Sequence, residues 1–354
     1  MTRKATPSPA APQHGPRPLP LFLDMLYRET AGSAERRAAA LRGLAMFQHA
    51  PRRRAHPALP IRHRRGRARL RDAGGAGRPV ILVPSLINPA SILDHGSGRS
   101  LARWLADRGH HVLLLDWGTP EPLDREVDLA GHVEQLLLPL IARLEVPPVL
   151  VGYCLGGTLA IGAASAAEVA GCATIAAPWR FAGYGAARDD MLAGWRAVEP
   201  ACATLGLAPM EVLQAGFWQL DPAGTIAKFE RFGTLDPGSD DARSFVQLED
   251  WANAGAPLTL SAARELFERL VGEDATGQLD WRVGEGIVDP VRLACPTIQF
   301  VSLTDRIVPS ATALDGWQRR DIAAGHVGMM VGRRAEAALW QPLADWIASL
   351  PHVR

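Results

Sequence analysis

The sequence predicts a doubly wound α/β sheet on three observations. Short runs that are apolar at every position recur from residue 79 onward, longer helical stretches separate them, and one run ends in a glycine-rich turn. Strands buried on both faces read as continuous apolar runs, and helices between them imply parallel crossovers.

In chain order, the first twenty residues are rich in Pro and Ala and read as disordered. Residues 21–48 read as one or two amphipathic helices, with Leu21, Met25, Leu26, Leu41, Leu44 and Phe47 at helical spacings. A charged hairpin-like segment covers 61–71, and "DAGGAG" (72–77) reads as a turn. Strands are then expected at "PVILVP" (79–84), "HVLLLD" (111–116), "PVLVG" (148–152), "CATIAA" (172–177) and "PTIQFVS" (296–302). Helices are expected at "SLARWLADRG" (100–109), "HVEQLLLPLIARL" (132–144), the small-residue segment after Cys154, and "AEAALWQPLADWIASL" (335–350). About 118 residues stand between "CATIAA" and "PTIQFVS", far more than a crossover needs. They carry helical segments and many of the ten tryptophans, and read as an inserted cap whose aromatic side chains form either a substrate wall or the cap's own core. The expected organisation is a basic arm with helices over 1–60 and a core over 61–354, with the cap at about 179–290.

The chain has 354 residues, 47% of them hydrophobic, which suits one large core carrying an insertion. Cysteines at 154, 172, 202 and 295 show neither metal-ligand nor disulfide-framework spacing, so no metal is expected, and free thiols fit a reducing cytoplasm. No apolar run is long enough for a signal core or a membrane span, so neither secretion nor a span is expected. The near-neutral total of +1 conceals an asymmetry: residues 1–71 hold sixteen Lys/Arg against three Asp/Glu, a net of +13 that leaves −12 for the rest. "PRRR" (51–54) and "RHRRGRARLR" (62–71) read as a solvated basic arm or as an attraction for anionic surfaces, nucleic acid or ligand phosphates.

Chemistry concentrates in "VGYCLGGTL" (151–159), which has the G-x-nucleophile-x-G spacing of a hydrolase elbow, with Cys154 where a serine is usual. The alternative is a structural cysteine in a glycine-rich turn. A helix N-terminus behind Cys154 favours a thiolate and offers the Leu155 backbone N–H to an oxyanion. In an α/β-hydrolase fold the order is nucleophile, acid, histidine. Only His326 and His352 follow Cys154, and His352 is three places from the end, so His326, in "AAGHVGMM", is the candidate base. The carboxylate should leave the preceding strand, which points to Asp305 in "PTIQFVSLTDRIVP", an aspartate that could also serve as an N-cap. Asp289 precedes that strand, and Asp315 is expected in the next helix. The second oxyanion donor is expected near Leu86 or Ile87 in "PSLINPASILD" (84–94), where Asn88 could instead form a turn.

With these residues in place, the chain resembles the polyhydroxyalkanoate synthase family over roughly residues 60–350. "GYCLGGT" (152–158) resembles its cysteine-containing lipase box, and "INPASILD" (87–94), "LLDWG" (114–118), "TDRIVP" (304–309) and "GHVG" (325–328) follow in the family's order. The resemblance implies that Cys154 is acylated by a 3-hydroxyacyl-coenzyme A, that His326 activates Cys154 or the incoming 3-hydroxyl, and that Asp305 supports the proton transfer. Ile87 and Leu155 would supply the oxyanion hole. It further implies growing polyester as product, no cofactor, a homodimer, and a cytoplasmic location at the polymer granule surface, with no nucleic acid partner. The length matches the short catalytic subunits that work with a non-catalytic partner subunit. Arg306 stands where the family often has histidine. "GYCLGG" also resembles the box of the dienelactone hydrolases, shorter enzymes without a long cap, and a non-catalytic granule-binding paralogue is a third reading.

Overall fold

The computed structural model describes residues 15–52, 57–96 and 98–351. The expected disorder of the opening, up to residue 14, lies outside the described residues, as do Arg53, Arg54 and His352.

The apolar runs become the middle of one eight-stranded sheet. Its strands are β1 (Ile61–Arg65), β2 (Ala68–Gly74), β3 (Ala76–Val83), β4 (His110–Asp116), β5 (Val149–Tyr153), β6 (Gly171–Ile175), β7 (Thr297–Ser302) and β8 (Gln318–Ile322). They lie in the order β1-β2-β4-β3-β5-β6-β7-β8. β2 runs antiparallel to β1 and β4, and every other pairing is parallel. Every residue of β5 and β6 is buried, so both faces are covered and no polar alternation marks them in the sequence. Each fully buried Val, Leu or Ile there contributes about 1.5–3 kcal/mol. The fold class read from the sequence is the one found, with the long insertion between β6 and β7.

Two local readings change. "DAGGAG" is strand on both sides of Gly75: β2 runs through Gly74 and β3 starts at Ala76. Asp315 is not in a helix but in the segment before β8, where it pairs with Arg180. β8 itself, "QRRDI", had no sequence signal because four of its five residues are exposed at the sheet edge. Charges on an edge strand discourage pairing with another chain, and they also erase the apolar pattern.

The chain forms two compact units, one of residues 1–54 with 221–253 and the other of 55–220 with 254–354. In the first, the helices Leu19–Glu29 and Ala34–His49 are joined by Pro222–Phe232 and Asp240–Ala252 from the insertion. Phenylalanines fill its centre: Phe229 meets Phe22 at 4.8 Å and Phe245 at 5.3 Å, and Phe232 stacks on Phe245 at 4.1 Å. In the second, the insertion's helix Ala187–Leu205 packs Trp195 on Phe267 at 5.0 Å, while Trp179 meets Trp281 edge-on at 6.2 Å. Trp179, Trp195 and Trp281 are all buried, so these aromatics serve packing, the second of the two roles the sequence left open.

Much of the basic charge of the first 71 residues is answered within each unit by later acids. Arg36 grips Glu230 through two nitrogens, and Arg52 does the same to Asp250 at 2.9 Å while lying over the Phe47 ring. Arg67, with its side chain 7% exposed, donates to Asp124 at 3.1 Å and to the Trp117 carbonyl at 2.8 Å, and Arg71 pairs with Asp116. Forked guanidinium–carboxylate contacts of this kind fix geometry as well as charge. No helix among the described residues is long and apolar enough to cross a membrane.

Candidate active site

Cys154 joins β5 to the helix Leu155–Ala166 at φ 56° and ψ −135°. Such a backbone costs a non-glycine residue about 1–3 kcal/mol and persists only where the surroundings hold it. Here the Cys154 N–H donates to the Ile175 carbonyl at 3.0 Å, and the Cys154 carbonyl accepts from Gly157 N–H at 2.8 Å. The flanking glycines are dictated by close approach. A Cβ at Gly152 would lie 2.4 Å from the Gly157 Cα, and one at Gly156 would lie 2.2 Å from the Val83 carbonyl oxygen. Glycine at 156 thus lets the end of β3 rest against the first turn of the helix. No side chain caps that helix, so the N–H of Leu155, which opens its first turn, has no capping side-chain partner.

Asp305 follows β7 and His326 follows β8, and each is 8% exposed. His326 Nδ1 donates to Asp305 Oδ2 at 2.5 Å, and the ring is also hydrogen-bonded to the Cys154 side chain. The other carboxylate oxygen, Oδ1, accepts from the N–H groups of Ile307 at 2.7 Å and Val308 at 3.0 Å. The two roles weighed for Asp305, turn cap and partner of the histidine, are therefore filled together by different oxygens. Cys154, Asp305 and His326, distant in sequence, meet because parallel strands end on the same side of the sheet.

Burial is the largest influence on His326 and pushes its pKa down. The charges of Cys154 and Asp305, with hydrogen bonds to both, outweigh it and lift the imidazole from 6.5 to about 10. The ring therefore carries its proton at neutral pH. Two tyrosines not singled out in the sequence support the arrangement. Tyr153 stacks on His326 at 4.9 Å and donates its hydroxyl to the His326 carbonyl at 3.3 Å. Tyr184 donates to the Ile307 carbonyl at 2.9 Å. Burial first, then the charges of Cys154 and Asp305, hold both phenols well above their usual range, so both remain donors. Tyr153 was readable as the central letter of "GYC"; Tyr184 lies in the insertion and had no signal.

Of the two candidate oxyanion donors, Leu155 opens the helix directly after Cys154. The Ile87 N–H donates to Ser85 Oγ at 3.2 Å, a bond that an oxyanion would have to replace. The loop that holds Ile87 is anchored by Trp117 of "LLDWG", whose indole N–H donates to the Pro84 carbonyl at 2.9 Å. Cys172, Cys202 and Cys295 are free thiols, and burial raises the pKa of each, which makes them poor nucleophiles. Among the described residues, no group of three or more His, Cys, Asp or Glu is placed to hold a metal ion.

Residues 92–339 match the model of the alpha/beta hydrolase family. Among curated proteins the chain is 26% identical to the poly(3-hydroxyalkanoate) polymerase subunit PhaC of Haloferax mediterranei, over 76% of this chain and 58% of that protein. It is 25% identical to the same subunit of Haloarcula marismortui, over 76% of this chain and 60% of the relative. Against the Allochromatium vinosum subunit the identity is 26%, over 76% and 80%. The chain thus spans about three fifths of the length of the first two relatives. These similarities bear out the resemblance drawn from the motifs.

Proposed function

The chain belongs to the alpha/beta hydrolase family, and from that premise we propose that it is a cysteine-dependent acyltransferase that polymerises 3-hydroxyacyl-coenzyme A into polyester. The observation that carries the proposal is a cysteine at the elbow, backed by the His326–Asp305 pair, in a chain similar to poly(3-hydroxyalkanoate) polymerase subunits. The relatives' description as subunits supports a partner subunit for this chain as well.

The Cys154 thiolate attacks the thioester carbonyl, and the oxyanion settles on the Leu155 and Ile87 N–H groups. Collapse expels the coenzyme A thiolate, which takes the proton held by His326, and leaves an acyl-thioester on Cys154. His326, now neutral, removes the proton from the 3-hydroxyl of a second unit. That oxygen attacks the acyl carbonyl, forming an ester and returning Cys154 as the thiolate beside a protonated His326. The first transfer exchanges one thioester for another at little free-energy cost, and the second runs downhill to an ester. A thiol therefore suits transfer in a way that a plain esterase has no use for. Burial of Asp305 and His326 keeps water from the proton-carrying pair.

Incubation with 3-hydroxybutyryl-coenzyme A, following free thiol and product solubility together, tests the proposal. Coenzyme A release with insoluble polyester is the expected result. Release with free 3-hydroxybutyrate alone makes the protein a hydrolase, and granule binding with no release makes it a non-catalytic paralogue.

A further inference from the structure

At the opposite end of the sheet from Cys154, the starts of β1, β3 and β4, the segment after Ile141, and the closing helix Gln341–Ser349 surround an open cavity of about 770 Å³. Arg62, His63, Arg78, His110, His111 and Arg143 line it, and among the described residues Glu145 is the one acid of the lining. Arg62 and Arg143 form no ion pair among the described residues, unlike Arg36, Arg52, Arg67 and Arg71 of the same basic stretch of chain or its surroundings. Arg78 donates to the Pro351 carbonyl, while its Nε is buried with no hydrogen-bond partner. Leu144, Ile347 and Leu350 supply an apolar part of the wall.

We propose that this cavity binds a phosphorylated small molecule with at least two adjacent phosphates on an organic body, separately from the acyl donor at Cys154. Among the described residues, three guanidiniums against one lining carboxylate leave an excess of positive charge in a concave surface, and planar guanidinium forks match phosphate oxygens two at a time. The volume falls in the range of small-molecule sites and far exceeds what one phosphate ion fills. The leucine and isoleucine surface offers the organic body a place to pack. His63 reports the same excess: burial, then Arg62 and Arg143, lower its pKa, although Asp72 works against them. His111 lies 3.6 Å from Asp72, which is the nearest further acid. An anion between these groups relieves the crowding.

The location separates this site from the reaction. Val80 of β3 is paired with Val149 of β5, and Cys154 lies five residues farther along, roughly 17 Å at the rise of a strand. The cavity opens at the N-terminal ends of the strands, whereas Cys154 stands beyond a C-terminal end.

The test is calorimetric titration of the full chain with ADP, with inorganic pyrophosphate and with adenosine, at physiological ionic strength. ADP is expected to bind more tightly than pyrophosphate, with adenosine silent. The double variant Arg62→Ala/Arg143→Ala, which changes two exposed side chains, is expected to weaken ADP binding about tenfold or more, with an unchanged circular dichroism spectrum. The His63 ring pKa, followed by NMR, is expected to rise when ADP is added to wild type and to stay still in the double variant. Absence of ADP binding, or equal binding by the double variant, overturns the proposal. So does a rise in the variant's KM for the acyl donor, which would make the cavity part of the donor site, or binding of an RNA oligomer that ADP does not displace. Coenzyme A release is measured alongside, and its presence or absence bears on acyl transfer alone.

Discussion

Beyond the C-terminal end of β5, the buried Asp305 carboxylate is met by the buried His326 at 2.5 Å and by the backbone N–H groups of Ile307 and Val308. At the N-terminal ends of β3 and β4, Arg62 and Arg143 are exposed and form no ion pair among the described residues. One end of the sheet has satisfied its charges internally, and the other has left them for something else to satisfy. Chemistry needs groups fixed before the substrate arrives, since orientation is what lowers the barrier. Binding an anion needs charge that remains available. The glycines and the strained cysteine belong to the first end, and the surplus guanidiniums to the second.

The comparison breaks most directly at His326. His326→Ala is expected to lower coenzyme A release from 3-hydroxybutyryl-coenzyme A by about 10³-fold or more, and Asp305→Asn by a comparable factor, because each leaves the thiol without an oriented base. Arg62→Ala is expected to leave turnover unchanged. An activity assay in which His326→Ala keeps a tenth of wild-type turnover would remove the assignment of the base.

A stability effect follows from how tightly the reactive end is packed. Gly156→Ala pushes a methyl to 2.2 Å from the Val83 carbonyl, a backbone atom that cannot swing aside, and is expected to cost about 1–3 kcal/mol. Gly328→Ala, where nothing lies within 4 Å of the added Cβ, is expected to stay within about 0.5 kcal/mol. Denaturant titration of both variants measures the difference, and equal losses would mean that the elbow is not under this constraint.

How much of this was legible depended on whether a residue's role was local. Continuous apolar runs disclosed β3 to β7, because burial on both faces writes itself into consecutive letters. Cys154 was legible through its glycines, and His326 because only two histidines follow it. β8 was invisible because an exposed edge strand carries no apolar pattern. The basic stretch was misleading in part: Arg52 faces Asp250 and Arg67 faces Asp124, and a pairing between distant positions leaves no mark on either one's neighbours. Tyr184 and Trp117 support the site through single hydrogen bonds to backbone carbonyls, which no spacing rule foretells.

Trp117 offers a subtler test of preorganisation. Trp117→Phe keeps most of the ring, 5% exposed, and removes the bond to the Pro84 carbonyl. The expected loss is about 1 kcal/mol of stability and a several-fold lower kcat. KM should hold, because the loop carrying Ile87 loosens while the acyl donor's contacts remain. A change in KM with kcat untouched would place Trp117 with substrate binding instead.

The smallest effect is in the pH dependence, and it bears on both ends. The His326 pKa of about 10 exceeds the 6.5 of an unfolded histidine, so its contribution to stability is complete below 6.5 and is lost as the pH rises through about 10. Cys154→Ala takes away the largest raising influence while burial continues to push down, so the His326 titration is expected to move to lower pH, and the loss of stability on going from neutral pH toward 10 is expected to shrink. At the far end His63 titrates below its usual value, because burial and two arginines oppose its charging. NMR of the ring protons thus follows two histidines displaced in opposite directions, His326 upward by anionic partners the protein supplies and His63 downward by burial first and then by Arg62 and Arg143. If His326 in wild type titrates near 6.5, the internal satisfaction of charge around Cys154 is not what holds its proton, and the contrast between the two ends fails at its reactive half.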